Sequence, residues 1–371
     1  MAATTADRPA ARRARRAAGL AAVLALAAPL AACADDGAAG PACSPSEVPD
    51  HEERTIVVEG DPWSGYAPFR DPQMMAGTGY STLYVEQLCQ DVRAADLTAG
   101  RADVAVTTLD QYLLHRPEGT VVGVIDQSEG ADALVLNTVD RPYLDSVDDL
   151  PRLVDDHAAE GDRPVLAYTG SSPSEMLLNE LANTTDELRL SDYELVSVDQ
   201  SATAYRMLQE HRADLAVVWE PDTSAARAAG YTVALSSEDV PDSIVDVIVA
   251  GDALIDRDPG AVQALVASFY RAVDRYLADP AELERLVAQD AGIATGAARS
   301  IIDGIRLYGT ADADEFMNRS EFPLDQPRVD QSVGAISGLL ALVHPEVRAD
   351  DARVDGRYVH QAAGQLQEEG T

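Results

Sequence analysis

The feature that most constrains the fold is the alternation of short, valine-rich apolar segments with segments of helical periodicity. A first candidate strand spans residues 55–58, and the others span 104–107, 121–125, 133–136, 165–168, 194–198, 215–219, 232–235 and 244–250. Because these segments are apolar almost throughout, they predict strands that are buried on both faces of a sheet. Residues 260–277 repeat apolar side chains every three or four positions, which predicts an amphipathic helix. The sequence therefore predicts an α/β fold with helices on both faces of the sheet.

The N-terminus has the pattern of an export signal. Its basic residues are Arg8, Arg12, Arg13, Arg15 and Arg16. An apolar run over 17–30 follows, which is too short to span a bilayer comfortably, and it leads into Leu30-Ala31-Ala32-Cys33. This end resembles a bacterial lipobox, so we predict that residues 1–32 are a cleaved signal peptide and that Cys33 is lipidated. The protein is then anchored to the extracytoplasmic face of the cell membrane; the alternative is a core helix that happens to end in cysteine.

The net charge of the chain limits the kinds of molecule that it can bind. The formal net charge of the chain is −35, and every one of its 28 basic residues is arginine. The predicted signal peptide carries five of these arginines and one acid, so the remaining chain has a net charge of about −39. No basic stripe remains, which argues against nucleic-acid binding. An anionic ligand needs a local device to overcome this charge.

The cysteines and the flanking segments suggest how the body is attached. Residues 34–53 lack hydrophobic periodicity and predict a flexible tether. Cys43 and Cys89 form a pair that, in an oxidising compartment, predicts either a disulfide or two free thiols. Residues 281–344 are predicted to be almost entirely helical, and 346–371 to be a polar, frayed tail.

Signatures of catalysis and metal binding are mostly missing from the sequence. It has no G-x-S-x-G, H-E-x-x-H, Cys-x-x-Cys or P-loop motif, and its six histidines are scattered singly. The acidic run 312–315 lacks the glycine and the distal glutamate of a calcium loop. We therefore predict a protein without catalytic residues, metal ligands or cofactor, and not an enzyme.

Polar and aromatic residues instead follow the predicted strands. In open α/β sheets, ligands bind beyond the carboxyl ends of strands. The candidate ligand-binding residues chosen on this basis are Trp63, Tyr66, Thr107, Thr108, Asp126, Ser128, Thr169, Ser171, Ser172, Trp219 and Glu220.

Several motifs in order resemble one family. They are WSGYAP at 63–68, AGRADVA at 99–105, GADA at 130–133, SVDDL at 146–150 and ADLAVVWEP at 213–221. The set is similar to the nitrate/sulfonate/taurine group of substrate-binding proteins of ABC transporters, over about residues 54–290. It departs from the family between 68 and 97, where Gly/Met/Tyr-rich sequence replaces the usual helix.

The resemblance implies a type II periplasmic-binding-protein-like fold, with two α/β lobes joined by a two-strand hinge near 128–134 and 243–248. Lobe 1 would comprise 54–130 with 246–345, and lobe 2 would comprise 131–245. The implied function is that of a monomeric lipoprotein that delivers a solute to an ABC permease and its ATPase. Gly130 would supply backbone freedom at the hinge.

The residues at the strand ends suggest a class of solute. Aromatic rings beside carboxylates favour an amine, and a helix beginning at 171–174 favours an anionic group. Together they predict a small polar organic solute that is taurine-like or amine-bearing. The alternatives are a pyrimidine or thiamine precursor, nitrate, and a sensor or scaffold lipoprotein without transport. An enzyme built on the same lobes is a further alternative, but it would need a nucleophile or base in the cleft.

Overall fold

The computed structural model describes residues 43–321 and 325–369, and the predicted signal peptide and Cys33 lie outside these residues. The strands are β1 (Thr55–Gly60), β2 (Ser81–Glu86), β3 (Val104–Thr108), β4 (Gly119–Ser128), β5 (Ala133–Leu136), β6 (Val165–Thr169), β7 (Glu194–Val198), β8 (Leu215–Val218), β9 (Thr232–Ser236), β10 (Val245–Gly251), β11 (Ile305–Leu307), β12 (Ser320–Glu321) and β13 (Gln326–Pro327).

The helices alternate with these strands and then dominate the C-terminal part. They are α1 (Ala67–Arg70), α2 (Gln90–Thr98), α3 (Leu109–His115), α4 (Leu150–Glu160), α5 (Pro173–Thr184), α6 (Ser201–Gln209), α7 (Asp222–Ala229), α8 (Asp252–Arg257), α9 (Pro259–Ala278), α10 (Pro280–Asp290), α11 (Thr295–Ile302), α12 (Thr310–Asn318), α13 (Arg328–Leu340) and α14 (Arg357–Glu369). Among the residues described, no helix combines the length and apolarity that a membrane span requires.

Two separate sheets form the framework, which confirms the predicted α/β fold. The larger sheet has six strands in the order β11-β4-β10-β3-β1-β2, and the smaller sheet has five in the order β7-β6-β8-β5-β9. Within the larger sheet β1, β2 and β3 run parallel, whereas β10 is antiparallel to both β3 and β4. All seven residues of β10 are buried, as its mostly apolar sequence predicts.

The chain passes between the sheets twice, and hydrogen bonds join the two passages. It leaves β4 at Ser128 and enters β5 at Ala133, then returns from β9 at Ser236 to β10 at Val245. The Ser237 amide donates to the Asp132 carbonyl (2.9 Å), and the Gly130 amide donates to Ser237 Oγ (2.8 Å). Gly130 has φ +104°, a conformation that a residue with a side chain rarely adopts. This junction places the ends of strands from both sheets side by side.

Four strands were not predicted: β2 and β11 lie at the edges of the larger sheet, and β12 and β13 form a separate two-stranded sheet. The segment 68–97, expected only to depart from the family pattern, contains β2, which pairs in parallel with β1 from Ser81 to Glu86. The region 281–344 is not wholly helical, because Ile305–Leu307 pairs antiparallel with the end of β4. A three-residue edge strand is too short to produce a periodic pattern in the sequence.

The prediction of a frayed tail over residues 346–371 is wrong, because residues Arg357–Glu369 form the packed helix α14. Val354 bridges to Val121, and α14 packs against α9 and α12. Val359, Ala362 and Ala363 of α14 are buried, so the helix has a narrow apolar stripe built largely of alanine. Burial of this stripe stabilises a C-terminal segment whose overall composition is polar.

The described part of the predicted tether is attached to the protein body. Cys43 and Cys89 form a disulfide with a Cα–Cα distance of 5.9 Å. The Ser46 amide donates to Asp96 (2.8 Å), and the Gln87 side chain donates to Ser46 Oγ (3.0 Å). Residues 43–46 are therefore not a free spacer, because covalent and hydrogen bonds fix them to α2 and to the segment that leads into it.

Candidate functional site

Loop 61–66, which follows β1, brings two aromatic side chains onto two buried aspartates. Trp63 Nε1 lies 3.3 Å from each carboxylate oxygen of Asp126, and the Tyr66 hydroxyl donates to Asp246 Oδ1. A Cβ on Gly65 would lie 2.0 Å from Asp126 Oδ2, so the turn needs glycine to approach so closely. The WSGY segment thus folds directly over the ends of β4 and β10.

A layer of arginines holds this loop in place. The buried Arg93 donates to Asp61 Oδ2 (3.1 Å), and Asp61 Oδ1 accepts from the Trp63 amide (3.0 Å). Arg70 donates to the Trp63 carbonyl (2.9 Å) and also pairs with Asp290 of α10. The loop therefore keeps its geometry through charged hydrogen bonds on the side that faces α1 and α2.

Four buried acids lie where the two sheets meet, and we call them the junction acids: Asp126, Asp132, Asp246 and Glu220. Asp126 and Asp246 belong to β4 and β10 of the larger sheet, while Asp132 precedes β5 and Glu220 follows β8 of the smaller sheet. Their exposed fractions are between 0 and 3%. The site therefore combines carboxylates from both sheets in a region closed to solvent.

Burial controls the protonation of these acids. It raises the pKa of Asp126, Asp132 and Glu220 to about 7 each. It also raises the pKa of Asp246 well above its usual value, an effect that the neighbouring Asp126 reinforces. Hydrogen bonds oppose these shifts: Trp63 donates to Asp126, Ser128 to Asp132, and Ser224 to Glu220.

Within the described residues, the junction acids lack basic partners. Among the residues described, no arginine or histidine forms an ion pair with any of them, and Arg227 acts on Glu220 only at longer range. Within the same residues, one group of three side chains has metal-ligand atoms close together: Cys43, Cys89 and Asp91. The two cysteine sulfur atoms of this group already form the disulfide. The junction is thus acidic without being arranged as a three-ligand metal centre.

The structure brings some of the predicted residues to the junction and separates others. Trp63, Tyr66, Asp126, Ser128 and Glu220 lie there, and Ser128 Oγ bonds Asp132 (2.6 Å) and Ser237 Oγ (2.8 Å). Thr108 lies directly opposite Asp246 on the neighbouring strand.

Thr107 and Trp219 are placed differently. Thr107 donates to Gln90 (2.9 Å) of α2, on the other face of the sheet from Thr108, because side chains alternate along a strand. Trp219 is half-buried at the end of β8, and its amide donates to Ser201 Oγ (3.1 Å).

The start of α5 is occupied by its own side chains. Ser172 Oγ caps the helix by accepting from the Ser174 amide (3.2 Å), and it donates to the Thr169 carbonyl (2.7 Å). The Ser171 amide donates to the carboxylate of Glu175 (3.0 Å), while the Ser171 side chain is exposed. Ser172 is therefore a structural cap, and a carboxylate already sits where an anionic ligand was predicted to bind.

Sequence reasoning did not select Asp132 or Asp246. Asp246 interrupts the apolar run Ile244-Val245-Asp246-Val247-Ile248, and an unpaired acid inside a buried strand is an uncommon residue that signals a special role. Asp132 lies within the GADA motif, which was used only for the family resemblance. Both positions carried a usable signal in the sequence.

The comparisons with known proteins agree with this architecture. The model of the family described as NMT1/THI5 like matches residues 160–283. No curated protein sequence matches the chain.

Solved structures with the same fold include both binding proteins and an enzyme. The alkanesulfonate-binding protein SsuA from Xanthomonas axonopodis pv. citri, bound to MOPS, is 14% identical with a TM-score of 0.62, over 82% of this chain and 100% of that chain. The periplasmic nitrate-binding protein NrtA from Synechocystis PCC 6803 is 13% identical with a TM-score of 0.63, over 87% and 90%. The desulfurization enzyme DSZB is 13% identical with a TM-score of 0.56, over 85% and 100%.

At these identities the structural likeness establishes the fold. Together with the family-model match, it confirms the resemblance that the motifs predicted. The chain has the two-lobed fold of periplasmic sulfonate- and nitrate-binding proteins, and its residues 160–283 match the NMT1/THI5-like family.

Proposed function

We propose that this protein is an extracytoplasmic solute-binding lipoprotein that delivers a small polar organic solute to an ABC importer. The solute is sulfonate- or taurine-like, or amine-bearing. The observation that carries the proposal is the junction itself, where Trp63 and Asp126 from one sheet meet Asp132 and Glu220 from the other. Two short passages connect the sheets, an arrangement suited to hinge closure around a solute.

The similar proteins support this proposal over catalysis. SsuA and NrtA are described as binding proteins, whereas DSZB shows that an enzyme can have the same fold. Nucleophilic catalysis needs an activated nucleophile with a base nearby. The junction residues described above include neither histidine nor cysteine, which supports a receptor.

The decisive experiment is native mass spectrometry of the purified protein, followed by identification of the small molecules released on denaturation. We expect one solute in stoichiometric amount, whose re-addition raises the melting temperature. A protein that releases no small molecule and responds to no candidate solute would favour a sensor or scaffold instead. The genes beside this one are expected to encode a permease and an ATPase.

The lipid anchor requires a separate test. Cys33→Ser is expected to release the protein from the membrane fraction of expressing cells, because the cysteine of the lipobox is the proposed lipidation site. The matched control is the Cys43→Ser/Cys89→Ser double variant, which removes the other two cysteines and should stay membrane-bound. Membrane retention of Cys33→Ser would contradict the anchor but would leave the solute site unaffected.

A further inference from the structure

We infer that the solute held at the junction is a small organic cation, a primary amine or a guanidinium compound, and not a sulfonate or another anion. This inference rests on the proposed receptor function and narrows its solute class.

The first support is a pair of buried acids that have no basic partner among the described residues. Asp126 and Asp246 are 0% and 2% exposed, and neither forms an ion pair with a basic residue among those described. Carboxylates are rarely buried without a cation or a full set of hydrogen bonds, since leaving water is costly for a charge. A positively charged ligand supplies the missing partner, whereas an anion would add to the repulsion.

The second support is a pair of buried hydroxyls without partners. Thr169 Oγ1 and Ser243 Oγ make no hydrogen bond within the described residues, and these residues are only 4% and 5% exposed. Thr169 ends β6 of the smaller sheet, and Ser243 lies in the passage that leads to β10 of the larger sheet. Ammonium offers three N–H donors and guanidinium five, so a ligand of this class has donors for hydroxyl acceptors as well as for carboxylates.

The third support is that side chains of the protein already occupy the start of α5, which is the predicted anion site. Its cap position is filled by Ser172 Oγ, and the Glu175 carboxylate accepts from the Ser171 amide. A sulfonate placed there would face a carboxylate in a chain of net charge −35.

The aromatic groups favour an organic cation over a metal ion. Trp63 and Tyr66 donate to Asp126 and Asp246, so both aromatic side chains border the carboxylates. An indole or phenol ring attracts ammonium and guanidinium groups. The junction acids do not bring three ligand atoms together within the described chain, whereas protein metal sites usually offer at least three.

The test is calorimetric titration at pH 8 with two cations, putrescine and agmatine, and with ethanesulfonate, nitrate and zwitterionic taurine. We expect at least one cation to bind at least 100-fold more tightly than either anion, and more tightly than taurine. Asp126→Asn and Asp246→Asn are each expected to weaken cation binding at least tenfold. The matched control Asp214→Asn removes one charge at the far end of β8 and should leave cation affinity within twofold of the parent.

Melting temperatures and circular dichroism of every variant separate lost affinity from lost folding. Tighter binding of ethanesulfonate, nitrate or taurine than of either cation would overturn the inference and leave the receptor function standing. Absence of binding by all five compounds would overturn it too, and combined with no released small molecule it would also overturn the receptor proposal. Equal losses in Asp126→Asn and Asp214→Asn would show that net charge, not the junction, governs affinity.

Discussion

The two ends of β8 place acids in contrasting surroundings. Asp214, just before the strand, accepts from Arg141 Nε (2.9 Å) and from the Val165 amide (2.9 Å), and His157 Nε2 lies 3.3 Å away. Glu220, just after the strand, accepts from Ser224 alone among the residues that the structure describes, and it lies near the buried Asp132. The same strand thus has an acid with counter-ions at one end and acids without them at the other. Because burying a carboxylate without a counter-ion is costly, a cluster of such acids is a candidate binding site.

The largest expected effect tests whether the junction acids are unpaired. A carboxyl whose pKa is raised to about 7 in the folded protein binds a proton that the unfolded chain releases near pH 4. Stability from this proton is therefore present at low pH and is lost as the pH rises from about 4 to 7. We expect the free energy of unfolding to fall by at least about 3 kcal/mol from pH 5 to pH 8, since each such group contributes up to about 1.4 kcal/mol per pH unit. Urea titration of ligand-free protein measures this; stability that is flat or rises over this range would contradict it.

Loss of the acid at the paired end of β8 should destabilise the protein, whereas loss of a junction acid should stabilise it. Asp214→Ala leaves Arg141 and the Val165 amide without their acceptor, and we expect a loss of about 3 kcal/mol, measured by urea unfolding. The control is Asp162→Ala, which removes an exposed partner of His157 and should cost less than about 0.5 kcal/mol. If the two variants lose equal stability, Asp214 does not have the structural role assigned to it.

The corresponding change at the junction should stabilise the protein. In Asp126→Asn a neutral amide replaces a carboxylate whose ionised form is disfavoured by burial. We expect the ligand-free variant to gain about 1–2 kcal/mol at pH 8 and much less at pH 5, where the parent carboxyl is already protonated. Thermal unfolding at both pH values measures the gain. A stability loss at pH 8 would mean that Asp126 is structural in the way that Asp214 is.

The smallest effect is spectroscopic and reports on one junction acid directly. The chain has two tryptophans, and Trp63 contacts Asp126 through its indole N–H. In Trp219→Phe, the remaining fluorescence should change with a midpoint at about pH 7, the pKa of Asp126. The transition should be absent in Trp219→Phe/Asp126→Asn. Its persistence in this double variant would assign it to a different group.

The strands and the fold class were predictable because apolar runs depend on local sequence. Buried strands such as β10 are rich in Val and Ile, and the long helix α9 repeats apolar residues at helical spacing. The strand-end rule also selected Trp63, Tyr66 and Asp126 correctly as neighbours, because the carboxyl ends of parallel strands meet at one edge. The helix α14 could have been found from the spacing of Val359, Ala362, Ala363 and Leu366, although its alanines give a weak apolar signal.

Other features depended on contacts between distant segments. Thr107 and Thr108 are adjacent in sequence, but only the register with β10 shows that Thr108 faces Asp246 while Thr107 faces α2. Ser172 looked equally able to cap a helix or bind a ligand. The cap geometry and the position of Glu175 favoured the cap, and neither follows from sequence spacing alone.

The sequence by itself determined an α/β chain with strong negative charge, polar groups at the strand ends and an N-terminal pattern that resembles a lipobox, because these properties depend on residue type and local order. Only the tertiary structure decided that Asp126, Asp132, Asp246 and Glu220 are buried together, with no basic partner in the described part of the chain. An acid's charge partners come from residues far away in the chain, so whether it is neutralised by the protein or left for a ligand is a property of the folded molecule.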